Sequence, residues 1–177
     1  ITPSYVTKNH LLKYCKKLNS KNIIVQNNLI SKVITKKFDK KKFLLTKGIN
    51  KNKNNIIILN ISNNETRKNF PYLLRLFSKL NNNYILIKIG EVKKQNFINK
   101  KKRVFIFKNI SDLELAKIYL CSDIYIDISS FEGFGRTLVE AQARSLPVLC
   151  LKTKINLEIL GNSAMYFNNK KNVLNFR

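Results

Sequence analysis

The sequence predicts an α/β fold in which a Rossmann-like parallel sheet carries helices on both faces. Two observations support this prediction. From residue 55 onward, short runs rich in Ile, Val, Tyr and Phe alternate with stretches in which apolar residues recur at helical spacing. These apolar runs are five or six residues long, which is typical of strands and too short for helices. Such alternation predicts parallel strands joined by right-handed crossovers, with ligands bound beyond the carboxyl ends of the strands.

The individual elements follow from the same pattern. The predicted strands are residues 56–61, 84–89, 103–107, 123–128 and 147–151. The predicted helices lie between them at residues 70–80, 111–120 and 135–144. In the second helix, Ser111 is followed three residues later by Glu114, which is the pattern of a capping box.

The first 54 residues have a weaker pattern. They predict a helix at 7–18, a strand at 22–26 and a turn at Asn27 and Asn28. Residues 31–54 are rich in lysine and predict a connection with a short strand at 43–46. The chain starts with Ile1 and its one methionine is Met165, so we expect it to be processed or cut from a longer chain. We interpret residues 1–30 as the end of a preceding domain.

The net charge of +24 has two explanations that the sequence leaves open. Lys (28), Asn (25) and Ile (22) have A/T-rich codons and dominate the composition, so genome base composition can account for the charge. The other explanation is an anionic partner, for which a membrane phospholipid surface is a better candidate than nucleic acid. Arginine, which proteins prefer for bidentate contacts to phosphates and bases, occurs only six times.

The cysteines and the histidine give no sign of a disulfide framework or a metal site. Cys121 and Cys150 lie in apolar surroundings, where cysteine behaves as a small hydrophobic residue. A reducing cytoplasm is therefore the expected setting. His10 is the only histidine, and we expect it on the surface. No metal site is predicted.

The most informative stretch is residues 122–148. A predicted strand ends near Ile128, and a loop of small residues leads from it into a helix. Glycines at 133 and 135 let the backbone approach a ligand closely, and a helix N-terminus presents free amides, a combination that suits a diphosphate. An ordinary strand-to-helix turn uses glycine just as readily.

Two glutamates accompany this loop. Glu132 lies within it, and Glu140 follows eight residues later near the second turn of the predicted helix. A carboxylate accepts hydrogen bonds from vicinal hydroxyls, which suits a ribose or hexose diol. The alternative is that Glu140 belongs to a solvated helix face.

The segment resembles the C-terminal, donor-binding domain of retaining GT-B glycosyltransferases of group 1 (family 4-like). Their hallmark is a phrase of the form SxxEGFGxxxxEAxAxGxPV. The residues in register with it are Ser129, Glu132, Gly133, Phe134, Gly135, Glu140, Ala141, Ala143, Pro147 and Val148. As a whole phrase this match is specific.

The resemblance extends over nearly the whole chain. Residues 56–80 look like the family's first strand, phosphate loop and helix of this domain, with Lys68 at the donor-phosphate lysine. Residues 155–168 look like a later family segment, and residues 1–14 and 22–30 look like the end of the N-terminal domain and the hinge. The resemblance thus implies two parts: residues 1–30 as a remnant of the N-terminal domain and hinge, and residues 31–177 as a nucleotide-sugar-binding C-terminal domain truncated at its end.

The family also implies a role for each matched residue. Glu132 and Lys68 are the expected catalytic residues, with Glu132 facing the donor sugar and Lys68 neutralising the phosphates. Glu140 is expected to hold the ribose diol. The remaining expected donor-binding residues are Arg67, Gly133, Phe134, Gly135, Thr137 and Leu138. The chain departs from the family at Ser62 and Asn63, where many members have a Gly-Arg pair, and at Ser145, where glycine is usual.

By this resemblance we expect a retaining glycosyltransferase that uses a nucleotide-diphosphate sugar as donor substrate and a glycan or lipid-linked acceptor. No cofactor and no metal are expected, the fragment alone is expected to be inactive, and the expected location is the cytoplasm with peripheral contact to an anionic membrane. Three other interpretations stay open: a sugar-nucleotide epimerase or phosphorylase-like enzyme, a basic nucleic-acid-binding module, and a non-catalytic relic that binds sugar nucleotides.

Overall fold

In the computed structural model, which describes residues 1–30, 37–92 and 103–168, six parallel strands form one sheet. In chain order they are β1 (Ile56–Ile61), β2 (Tyr84–Ile89), β3 (Val104–Phe107), β4 (Ile124–Asp127), β5 (Val148–Leu151) and β6 (Met165–Phe167). Their order across the sheet is β3-β2-β1-β4-β5-β6. The winding therefore reverses between β1 and β4, which are hydrogen-bonded neighbours, and ligands bind at such a switch point in open α/β sheets.

Helices cover both faces of this sheet, which confirms the predicted fold class. They are α1 (Tyr5–Tyr14), α2 (Lys40–Thr46), α3 (Phe70–Phe77), α4 (Asp112–Cys121), α5 (Arg136–Gln142) and α6 (Lys154–Leu160). Two short 3-10 turns lie at Ser20–Asn22 and Thr66–Lys68. Within the parts of the chain that the structure describes, no helix is both long and apolar enough to cross a membrane.

The core lies in two layers, one on each side of the sheet. Leu73 and Phe77 of α3 pack with Ile58 and Leu86 on one face. On the other face, α2, α4 and α5 cover Ile57, Leu59 and their neighbours. Alternate residues of β1 therefore enter different layers, which is why five of its six residues are apolar.

Local sequence predicted most element positions well. The strands at 56–61 and 84–89 are confirmed residue for residue, and the other three predicted strands are shorter by one or two residues. The capping box is formed, because the Ser111 hydroxyl and the Glu114 carboxylate each bind the other's backbone amide. The helices α3, α4 and α5 lie where helices were predicted, although α3 ends at Phe77 and α5 at Gln142.

The predicted strand at 43–46 is wrong, because these residues belong to α2. Asp39 caps the helix by accepting from the Lys42 amide at 3.0 Å. At the other end, the Ile49 amide binds the Leu44 carbonyl oxygen at 2.9 Å and Gly48 takes a φ of +73°. This is a Schellman C-cap, and it buries Leu44 together with Ile49. Residues 31–36 of the predicted connection lie outside the described residues.

Three further differences concern the ends of the chain. The first helix begins at Tyr5, because Ser4 caps it by accepting from the Thr7 amide at 3.1 Å. The predicted strand at 22–26 is reduced to one bridge between Val25 and Thr2, preceded by a 3-10 turn. The elements α6 and β6 were not predicted, although their segment was recognised by its resemblance.

Candidate functional site

Two loops at the carboxyl ends of adjacent strands carry most of the predicted site residues. Residues 62–69 follow β1 and form the lysine loop, and residues 128–135 follow β4 and form the glutamate loop. The Ser130 amide donates to the Arg67 carbonyl oxygen at 2.9 Å. The Asn69 side chain donates to the Ile128 carbonyl oxygen at 3.2 Å. The pairing of β1 with β4 thus brings the two loops into direct contact.

The centre of the site is the carboxylate of Glu132, which two cations hold. Lys68 Nζ lies 2.5 Å from Glu132 Oε1, and Arg67 Nη1 lies 3.1 Å from Glu132 Oε2. The side chains of Lys68 and Glu132 are only 10% and 11% exposed, so solvent screens their attraction weakly. Arg67 also donates to the Phe131 carbonyl oxygen at 2.8 Å and pairs with Glu65. Two basic side chains and the carboxylates of Glu65 and Glu132 therefore meet where the two loops join.

The direction of Lys68 follows from the backbone of the lysine loop. The 3-10 turn Thr66–Lys68 ends at Asn69, whose φ of +52° is left-handed. Asparagine tolerates this conformation better than most residues, because its short side chain makes local hydrogen bonds. Here that side chain binds the carbonyl oxygens of Arg67 and Ile128. The helix α3 then begins at Phe70, with proline in its first turn.

Asp127 lies directly beneath the glutamate loop at the end of β4. Its Oδ1 accepts hydrogen bonds from the Ser129 amide at 2.7 Å and from the Ser129 hydroxyl. Its Oδ2 is buried and has no hydrogen-bond partner within the parts of the chain that the structure describes. Burial raises the pKa of Asp127, and the nearby Lys68 charge opposes that rise. Asp127 thus adds a second buried carboxyl group near Lys68.

The glycines of the glutamate loop are held by other parts of the chain. Gly135 has a φ of +80° and immediately precedes α5. The Gly133 carbonyl oxygen accepts hydrogen bonds from the hydroxyls of Ser4 and Thr7, both at 2.9 Å. The Phe134 side chain is buried in the protein. Residues near the start of the chain therefore help to shape this loop.

Glu140 has its own set of partners on α5. Its Oε2 lies 3.1 Å from the Tyr119 hydroxyl, and its Oε1 lies 3.6 Å from Arg136 Nη2. Burial, followed by the charge of Glu140, raises the pKa of Tyr119 well above its ordinary value. The Tyr119 hydroxyl therefore stays protonated and can donate a hydrogen bond to the Glu140 carboxylate. The guanidinium of Arg144 lies over the Tyr119 ring, 4.8 Å from its centre.

The start of α5 is partly engaged by the protein itself. The Leu138 amide donates to the Gly135 carbonyl oxygen at 3.0 Å, and its side chain is fully buried. The Thr137 carbonyl oxygen lies 3.2 Å from the Tyr119 hydroxyl. The predicted contact of a diphosphate with the Leu138 amide would require that amide to leave or share its present bond.

We expect Tyr119→Phe to lower the free energy of unfolding by about 1–3 kcal/mol, because the buried Glu140 carboxylate loses a donor. Urea-induced unfolding followed by far-UV circular dichroism measures this loss. The matched control is Tyr14→Phe, because Tyr14 is 77% exposed and its replacement should change stability by less than about 0.5 kcal/mol. Equal unfolding midpoints for the two variants would contradict the importance of the Tyr119 hydroxyl.

The structure thus groups the predicted residues into two clusters. Arg67, Lys68 and Glu132 are in direct contact, whereas Glu140 contacts Tyr119 and Arg136. Tyr119 and Asp127 were not predicted as site residues. The sequence pattern placed Tyr119 at an apolar position of the helix 111–120 and Asp127 within the strand 123–128. A carboxylate at the end of an apolar run was the available signal for Asp127.

The sequence of the chain matches a known protein family. The family described as "Glycosyl transferases group 1" matches residues 41–172. Three matches are called serotype-specific mannosyltransferase WbdA, all from Escherichia coli, and two of them differ in how much of this chain they cover. One is 41% identical over 66 residues, covering 37% of this chain and 8% of that protein. The other is 32% identical over 115 residues, covering 58% of this chain and 14% of that protein.

Solved structures share the fold at lower identity. HepE from Anabaena, solved in complex with UDP and glucose, superposes with a TM-score of 0.80 at 16% identity, covering 98% of this chain and 51% of its own. A glycosyltransferase from Rickettsia africae ESF-5 gives a TM-score of 0.80 at 24% identity, covering 97% of this chain and 50% of its own. The chain therefore spans about half the length of these structures and a smaller share of the WbdA proteins.

Proposed function

The chain belongs to the group 1 glycosyl transferase family, and from this premise we propose that it binds the donor of a sugar-transfer reaction. The donor is a nucleotide-diphosphate sugar, and the product is a glycosylated glycan or lipid-linked acceptor. The observation that carries this proposal is the sheltered cluster of Lys68, Arg67 and Glu132 at the switch point of the sheet. The complex of HepE with UDP and glucose supports a nucleotide diphosphate as the leaving group.

The cluster offers the two kinds of group that such a donor requires. Lys68 and Arg67 bring two positive charges to within 3.1 Å of one carboxylate, and a diphosphate would compete with Glu132 for both. Once released, the Glu132 carboxylate can accept hydrogen bonds from sugar hydroxyls. Binding of the donor thus exchanges an internal ion pair for contacts with both ends of the ligand. Before the donor binds, the pairing of Glu132 with the two cations limits the cost of burying these charges.

Glu140 is assigned to the nucleoside. Its carboxylate is held by the Tyr119 hydroxyl and lies one helix turn from Arg136. A carboxylate in a fixed orientation can accept bidentate hydrogen bonds from the two hydroxyls of a ribose. Gly133, Phe134, Gly135, Thr137 and Leu138 are assigned to the donor through their backbone atoms.

Lys68 would stabilise the leaving diphosphate as the glycosidic bond breaks. Negative charge develops on the phosphate oxygens in that step, and a cation already held in place stabilises it without reorganisation. The two basic side chains supply positive charge for the leaving group, so we propose transfer without a metal ion. Retention at the reacting carbon is proposed from the family resemblance alone. Contact with an anionic membrane, a cytoplasmic location and the division into residues 1–30 and 31–177 stay predictions.

The test is calorimetric titration of the 177-residue chain with UDP, GDP and ADP at moderate salt. We expect weak binding of a nucleoside diphosphate, and a loss of about tenfold or more in both Lys68→Met and Glu140→Ala, as for the removal of a charged hydrogen bond. Lys79→Met, which removes an exposed lysine just after α3, is the matched control and should bind as the parent chain does.

A single-stranded oligonucleotide serves as the rival ligand in the same titration. Tight and steeply salt-dependent oligonucleotide binding, with no response to any nucleoside diphosphate, would contradict the proposal and support a basic nucleic-acid-binding module. The family match does not favour that alternative.

A further inference from the structure

Lys88 is a fully buried lysine near the carboxyl end of β2. Its Nζ lies 5.1 Å from the centre of the Phe70 ring, on the face of the sheet that α3 covers. Lysine is almost never fully buried unless it is paired. None of the ion pairs between described residues includes Lys88. Its burial beside the lysine loop must therefore be explained by contacts other than an ion pair.

The Nζ of Lys88 donates hydrogen bonds to three oxygen atoms. They are the carbonyl oxygen and the hydroxyl oxygen of Ser62 and the carbonyl oxygen of Ile89, the last two at 2.8 Å. The Ser62 hydroxyl in turn donates to Asn60 Oδ1 at 2.8 Å, so toward Lys88 it can only accept. A protonated amine has three N–H donors and a neutral amine has two. All three contacts therefore form only when Lys88 carries its proton.

These bonds extend across the centre of the sheet. The Asn60 side chain continues the network by donating to the Ile126 carbonyl oxygen of β4 at 2.9 Å. Gly90 allows the close approach, because a Cβ at that position would lie 2.2 Å from the Ser62 carbonyl oxygen. Ser62 is the first residue of the lysine loop, so the network anchors this loop between β2 and β4.

We propose that Lys88 is the positioning residue of the donor site: its protonated Nζ holds the start of the lysine loop, so that Arg67 and Lys68 stand ready for an anionic donor. This inference rests on the proposed function, because it names what keeps that same site assembled. Lys88 acts through Ser62 and not by touching the donor.

The charges around Lys88 make this positioning dependent on pH. Among the described residues, Lys68 and Asp127 are the charged groups that act on it. Burial, and after it the positive charge of Lys68, lower the pKa of Lys88 to about 7, against the opposing effect of Asp127. A diphosphate bound at Lys68 adds negative charge and favours the protonated form. Donor affinity should therefore be highest below pH 7 and fall as the pH rises to 8.5.

Folding stability should change in the opposite direction over the same range. The pKa of Lys88 is lower in the folded chain than in an unfolded one, so the unfolded state binds more protons above pH 7. Stability then rises with pH while donor affinity falls. A residue with a purely structural role would change stability alone.

The first measurement needs no ligand. In protein labelled with ¹³C-lysine, the Lys88 Cε resonance, identified by its absence in Lys88→Met, should titrate between pH 6 and 8. Amide exchange at Ser62 and Asn63, corrected for its intrinsic pH dependence, should accelerate as the proton leaves. In Lys88→Met, exchange at these two amides should be fast at every pH. In the control Lys79→Met, it should be the same as in the parent chain. Exchange that is the same in Lys88→Met as in the parent chain overturns the proposal.

The second measurement titrates UDP-glucose and GDP-mannose, whose esterified phosphates do not ionise near neutral pH. Between pH 6 and 8.5 the parent chain should lose affinity by up to about tenfold per pH unit and take up a proton on binding. Lys88→Met should bind at least tenfold more weakly at pH 6.5, and Lys88→Arg should bind with no pH dependence, because arginine stays charged.

The outcomes separate this inference from the proposed function. Donor binding that is unaltered in Lys88→Met overturns the role of Lys88 and leaves the proposed function in place. If neither donor binds although the loop responds to pH as expected, the proposed function fails, and the donor-linked part of this inference fails with it. Circular dichroism of each variant checks that it is folded.

Discussion

Replacing Lys68 with methionine should lower kcat for sugar transfer by about two to three orders of magnitude, the loss typical of removing one preorganised group that stabilises developing negative charge. Lys68 is sheltered from water, and its Nζ already lies 2.5 Å from a carboxylate oxygen of Glu132. Methionine keeps much of the length of the side chain but removes its charge. Steady-state kinetics of the full-length gene product, with a nucleotide-diphosphate sugar and an acceptor, would measure the loss.

Three other variants make this kinetic test specific. Lys79→Met removes an exposed lysine and should leave kcat within about twofold of the parent value, since surface charges far from a site contribute little. Glu140→Ala should raise KM, because it removes the proposed contact with the nucleoside. Glu132→Ala should lower kcat more than Glu140→Ala does, because Glu132 is proposed to hold the sugar at the reacting carbon. A Lys68→Met enzyme with nearly unchanged kcat would rule out the leaving-group role.

Gly90→Ala should lower the free energy of unfolding by more than about 3 kcal/mol, which places it among the most damaging single substitutions. Gly90 has a φ of +110°, and an added Cβ would lie 2.2 Å from the Ser62 carbonyl oxygen. The surrounding backbone has little freedom to move, because the Gly90 amide binds the Phe107 carbonyl oxygen at 2.9 Å and the Ser62 amide binds that of Ile89 at 3.1 Å. Urea-induced unfolding, or failure to obtain folded protein, would register the effect.

The control for this substitution is Gly48→Ala. Gly48 also has a left-handed backbone, with a φ of +73°, but no atom lies within 4 Å of an added Cβ. Its replacement should cost about 1 kcal/mol, from the backbone conformation alone. The difference between the two variants isolates the close contact between Gly90 and Ser62. Equal losses in both variants would show that this contact is unimportant.

Much of the fold could be predicted from local sequence, because local physics determines it. The runs at 56–61 and 84–89 each have five apolar residues out of six, as is typical of strands in a parallel sheet that is buried on both faces, and both bounds are correct. The Ser111 and Glu114 capping box closes within three residues, so its sequence pattern suffices to predict the start of α4.

The wrong strand at 43–46 shows where local pattern was insufficient. Phe43, Leu44 and Leu45 fit a short strand as well as a helix. Asp39 and Gly48 decide between the two, because they cap a helix at both ends, and the packing of Leu44 against Ile49 stabilises the result. Ser145 is a related case: it occupies a left-handed position, with a φ of +55°, where the family resemblance led us to expect glycine.

The sequence indicated which residues belong to the candidate site but not which of them are in contact. The spacing of Glu132 and Glu140 and the phrase around them identified the glutamates, and the resemblance of residues 56–80 identified Lys68. The contact of Lys68 with Glu132 joins residues 64 positions apart. It arises because β1 and β4 are neighbours, and that order is a property of the whole sheet.

Sequence alone therefore determined the parallel α/β fold and the family and supplied the main candidate residues of the site, because these depend on periodicity, spacing and a specific phrase. Only the tertiary structure decided the burial of Lys88 and Asp127 and the assignment of Tyr119 to Glu140. A lysine is ordinarily expected at the surface, and nothing within β2 shows that Ser62 supplies its acceptors. Burial and hydrogen-bond partners depend on atoms from distant parts of the chain, and these meet only when the sheet is complete.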